Sequence, residues 1–117
     1  MRKAILIILL IPSLAHASWT AEDTYLQGAV VSALLIDMAQ TLYIADNPNK
    51  YSELNPLLGK HPSKEKVVGY FMGAIVLHTA LSYALQDRER RWFQGCTLFI
   101  ETGVVLRNVS LGIGFSY

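Results

Sequence analysis

An all-α chain, an antiparallel three-helix transmembrane bundle behind an N-terminal signal peptide and ending in a short extended tail, is what three features of this sequence predict. Charged residues make up 16% and hydrophobic residues 52%, where soluble domains carry about 25% charged. Val67 to Leu85 runs nineteen residues without a charged side chain. Three X-Pro steps at Pro48, Pro56 and Pro62 cut that stretch cleanly from the apolar run before it. A helix apolar on every side must be buried all round or lie in lipid. A domain of about 100 residues has too small an interior to surround one, so lipid is the expected solvent.

Residues 1–17 read as a signal peptide. Arg2-Lys3 is a short positive region, Ala4 to Leu14 an apolar one, and Ala15-His16-Ala17 a small-x-small site before a cut at Ser18. No cysteine follows the apolar region, which excludes a lipoprotein. An uncleaved anchor is the alternative; the Pro12-Ser13 break and the A-x-A site favour cleavage. The expected location is a bacterial inner membrane, with the periplasm as alternative. Without Arg2 and Lys3, eight Lys and Arg face nine Asp and Glu, so no basic face remains for nucleic acid. Cys96, the lone cysteine, sits in an apolar run and reads as a small core residue.

The first helix, about 20–45, opens on Thr20 as cap with Glu22 and Asp23 in its first turn. Asn47-Pro48 stops it, because the residue before proline avoids the helical region. The connection that follows is long for a compact domain, and Tyr51, Leu54, Leu57 and Leu58 give it side chains to bury. Within it, Asn55-Pro56-Leu57-Leu58-Gly59 has the pattern of a single helical turn: cap, proline first, glycine last. Ser63 caps the second helix, about 63–86. Asp87 to Arg91 reads as a solvated charged turn, with an anionic-lipid or partner contact as the other reading. The third helix, about 90–108, is interrupted by Gln94, Glu101 and Arg107 and is the weakest membrane segment. Residues 110–117 alternate apolar with Gly or Ser at a period of two, a strand-like tail docked on the bundle or paired with a neighbouring copy.

Each apolar helix carries one ionisable group near its middle: Asp37, His78 and Glu101. In an up-down-up arrangement these fall at similar depth, with Thr41 one turn from Asp37. An acid at mid-bilayer costs about 2.5–3.5 kcal/mol, so the two acids should turn inward and meet each other or His78. Three readings stand open for this cluster of Asp37, Thr41, His78 and Glu101. It is a hydrogen-bonded network that fixes helix register, a proton- or ion-responsive site, or a metal site of Asp37, His78 and Glu101. No HExxH, GxSxG or P-loop pattern is present, so no catalytic residue and no cofactor are called for. Gly69 and Gly73 form a GxxxG pair, which allows close helix contact and a homo-oligomer.

The run Asp37…Thr41…Glu53-Leu54-Asn55-Pro56 resembles a group of small bacterial and phage helical membrane proteins of unknown function. In that group a D-x-x-x-T helix is followed by an E-x-N-P segment. The resemblance implies a compact helical membrane fold in which Asp37, Thr41, Glu53 and Asn55 approach one another. It implies no activity. The reading that follows is a small integral inner-membrane protein acting by binding or assembly, uncertain as an enzyme and more readily not one, with a holin-like lysis or exclusion protein in the same class. The alternatives are a proton- or metal-linked membrane protein using Asp37, His78 and Glu101, and a soluble periplasmic helical bundle.

Overall fold

The computed structural model describes residues 19–117; the signal peptide expected at 1–17 lies outside them. Three α-helices make up the fold: α1 (Ala21–Asp46), α2 (Lys64–Ala84) and α3 (Asp87–Ser110). α1 packs against both of the others, which touch each other little. α1 and α2 are long and apolar enough to cross a membrane. α3 does not meet that standard, in keeping with its polar interruptions.

The helix starts follow from local chemistry. The Thr20 side chain accepts from the Asp23 N–H, and the Asp23 carboxylate accepts from the Thr20 N–H at 2.9 Å, a reciprocal capping box. Ser63 accepts from the Lys66 N–H at the head of α2. α1 ends at Asn47, whose side chain bonds back to the Tyr43 carbonyl at 2.8 Å. The expected turn at Asn55 forms: the Asn55 carboxamide oxygen accepts from the Leu57 N–H, and the Asn55 carbonyl accepts from Leu58 and Gly59. Gly59 closes it at φ 82°, a left-handed conformation that glycine adopts without strain. This turn drives Leu58 into the apolar core with Val30, Leu34, Leu42, Val67 and Phe71. Leu54 and Leu57, expected to be buried with it, are exposed.

Three further expectations are corrected. The charged stretch Asp87–Arg91 is not a separate turn but the first turn of α3, because Leu85 and Gln86 alone suffice to reverse the chain. Cys96 is exposed, not in the core: it lies on the face of α3 opposite the residues that bond to α1. The tail forms no strand among the described residues. It docks on the bundle, held by the Ser116 N–H to the Ala39 carbonyl at 2.9 Å and by the buried Ile113. The turn into the tail is a Schellman motif. Ile113 N–H bonds to the Asn108 carbonyl, Gly112 N–H to the Val109 carbonyl, and Gly112 takes φ 80°.

Candidate functional site

The interior is more polar than an ordinary core. Ten polar or charged residues are buried against nine apolar ones among the described residues, whereas soluble cores bury charge only rarely. These polar groups form two clusters, with Val30, Leu34, Phe71 and Leu98 among the apolar residues packed in the core.

The first cluster lies where α1 begins. Arg90 and Asp23 make an ion pair at 3.0 Å, with side chains 0% and 1% exposed. The Arg90 guanidinium also donates to the carbonyls of Ser82 and Leu85, which the end of α2 leaves free. Trp19 covers it: the guanidinium stands 4.8 Å from the Trp19 ring, which stacks on Tyr83 at 4.2 Å. Below this pair, Gln94 donates to the Asp23 carbonyl and to the Gln27 carboxamide oxygen. Gln27 is the node. Its oxygen accepts from Ser82 and Gln94, so its NH2 faces Thr79 and His78 Nδ1, at 3.0 and 3.1 Å.

That orientation assigns the His78 tautomer. Nδ1 accepts from Gln27, so the ring proton sits on Nε2 and is donated to Thr97 Oγ1 at 3.0 Å. The Thr97 hydroxyl donates in turn to the Phe93 carbonyl at 2.9 Å, and the Phe93 ring stacks on the imidazole at 4.2 Å. Both ring nitrogens are thereby used, and no carboxylate is among their partners.

The second cluster lies toward the other end of the bundle. Thr41 donates to the Asp37 carbonyl at 2.8 Å and to its carboxylate at 3.3 Å. No amide or hydroxyl donor among the described residues reaches the buried Glu101 Oε2, and Asp37 and Glu101 face the same space between α1 and α3. Gln40, fully buried, ties α1 to α3 through the Val105 carbonyl at 3.2 Å and the Asn108 side chain at 3.0 Å.

Asp37, Glu53 and Glu101 line one cavity of about 530 Å³, walled also by Tyr51 and Tyr70, with Lys50 and Arg107 contributing positive charge. Asn55 lines it too, so Asp37, Glu53 and Asn55 face a single space, with Thr41 bonded to Asp37 behind it. No protein-family model, curated protein or solved structure matches this chain. The cavity must be read on its own chemistry.

Of the four residues expected to cluster, Asp37, Thr41 and Glu101 come together; His78 does not join them. Its ring is taken up in the first cluster, by Gln27 of α1, Ser82 of its own helix and Thr97 of α3. The described residues hold no group of three His, Cys, Asp or Glu side chains placed to bind a metal ion. A shell of Asp37, His78 and Glu101 therefore does not form. Asp23, Gln27, Arg90 and Gln94, which no motif in the sequence singles out, form most of the first cluster.

Glu53, in the connection outside the helices, accepts from the Asn55 N–H at 3.1 Å. Burial lifts its carboxyl above the ordinary glutamate value of 4.5, with the Asn55 N–H opposing and the nearby Asp37 charge adding to the rise. A folded-state value above the unfolded one means the protonated form favours the fold. That contribution is complete below 4.5 and disappears as pH climbs through the raised folded-state value. Glu53→Gln is neutral at every pH and keeps an acceptor for Asn55. Thermal melts in mild detergent should show wild type and Glu53→Gln alike at low pH, and wild type the less stable once Glu53 ionises. A wild type that outlasts the variant at pH 8 would contradict this.

Proposed function

We propose that the chain is an integral inner-membrane protein acting by binding or assembly, with α3 sharing the bilayer with α1 and α2. The observation that carries this is the direction of polarity. Ion pairs, carboxamides and an imidazole fill the interior, while Tyr25, Val76, Leu77, Phe99, Ile100 and Leu106 stand on the outside. A soluble bundle would have the opposite arrangement, since nothing in water offsets an apolar exterior wrapped around a desolvated polar centre. α3 fits lipid because Arg90, Gln94 and Asn108 turn toward partners in the bundle and Glu101 lines the interior cavity, leaving its outer face mostly apolar.

In this reading the binding site is the cavity of Asp37, Glu53 and Glu101. Assembly with further copies is supported by Gly69 and Gly73: a Cβ added at either meets no atom within 4 Å, so the pair is not consumed by contacts within one chain. Alkaline carbonate extraction tests the reading. The protein should stay with the membrane pellet and be released by detergent alone; recovery in the supernatant without detergent would overturn it. Induced expression divides the class further, since abrupt lysis marks a holin-like assembly and harmless accumulation marks binding.

A further inference from the structure

The outer face of α3 carries a second recess, about 740 Å³, whose lining comes from this one helix. Arg88, Arg91 and Trp92 stand at one end, Gly95 and Cys96 form the floor, and Phe99 leads on from them. These positions repeat at three and four residues, so they share one face of the helix. The floor is low because its residues are small; a Cβ built on Gly95 meets nothing within 4 Å. The result is a trough, apolar along its length and cationic at one mouth.

We propose that this trough is a binding site for an anionic phospholipid, with the phosphate at Arg88 and Arg91 and an acyl chain lying over Gly95 and Cys96 toward Phe99. The proposal rests on the membrane reading above. Charge complementarity selects this occupant over a neutral lipid. Arg88 makes no ion pair among the described residues. Arg91 lies 3.3 Å from Glu22, with both side chains about half exposed or more, a pair weak enough to exchange for a phosphate. Asp87 also lines the recess, but it lies 3.5 Å from Arg90 and is partly offset by it. Trp92, 68% exposed between the arginines and the apolar floor, has the position of an interfacial aromatic. An arginine near an anionic headgroup shifts lipid binding about five-fold.

The test uses the full-length chain in liposomes carrying a chain-labelled nitroxide lipid, either phosphatidylglycerol or phosphatidylcholine. Quenching of Trp92 fluorescence is the signal, with Trp92→Phe giving the Trp19 background. Labelled phosphatidylglycerol should quench at several-fold lower content than labelled phosphatidylcholine. Arg88→Gln should reduce that preference about five-fold. Gly95→Leu, whose added Cβ meets no atom within 4 Å, should abolish it with helicity unchanged by circular dichroism. Equal quenching by the two lipids in an inserted protein would overturn the lipid site and leave the membrane reading standing. A preference that survives both substitutions would overturn the site in the same way. A chain that does not enter liposomes would overturn both.

Discussion

Arg90→Met is expected to destabilise the folded protein by about 3–5 kcal/mol, the range for breaking a buried ion pair by removing one partner. The substitution keeps most of the side-chain volume, so the loss is electrostatic. It strands the Asp23 carboxylate, which is 1% exposed, and it removes the donors that serve the Ser82 and Leu85 carbonyls. Because Arg90 is fully buried, salt should screen little of the effect. Unfolding in mixed detergent micelles, followed by circular dichroism, measures it. Asp23→Asn combined with Arg90→Met should recover part of the loss, since the double variant leaves no charge unpaired. A single-variant loss below about 1 kcal/mol would reduce the pair to the standing of a surface ion pair.

Gln27→Leu should cost about 2–3 kcal/mol, well above the roughly 0.6 kcal/mol average for one interhelical hydrogen bond in a membrane protein. The difference arises because Gln27 bonds to His78, Thr79, Ser82 and Gln94 at once. Leucine is near in size, so no large cavity contributes. The His78 ring reports the change independently. Nitrogen NMR should show a single Nε2–H tautomer in the wild type and a mixture in the variant, because the donor that fixes Nδ1 is gone. A pure tautomer in both would mean that Thr97 and Ser82 suffice to orient the ring without Gln27.

The first two helix starts were legible because each rests on local chemistry, Thr20 and Ser63 as caps, as were Asn47-Pro48 as a stop and Asn55-Pro56 as a turn; α3, which has no side-chain cap, starts three residues before the expected position. That Asp37 and Glu101 would face a common space was legible from their similar depth, although His78 was expected as an equal partner. Arg90 was missed because it sits in a run of five charged residues, where the general expectation is a solvated face. A signal was nevertheless present. Asp23, Gln27, Asp37 and Thr41 fall on one stripe of α1, and Arg90, Gln94, Thr97 and Glu101 recur at four, three and four residues in α3. That is the spacing of a packing seam written in polar residues. The tail misled for the opposite reason. Its alternation is real, but no neighbouring strand exists among the described residues to pair with, so Ile113 and Ser116 use the surface of α1 instead.

On the membrane reading proposed above, the ties between α1 and α3 set the order in which the chain can enter a bilayer. Arg90, Gln94 and Asn108 find their side-chain partners chiefly on α1, at Asp23, Gln27 and Gln40. Arriving alone, α3 would bring those groups into hydrocarbon unmatched; arriving beside an already seated α1, it brings them to waiting partners. On that reading the third segment is a passenger during biosynthesis, and a chain truncated after Gln86 should insert while α3 expressed separately should not.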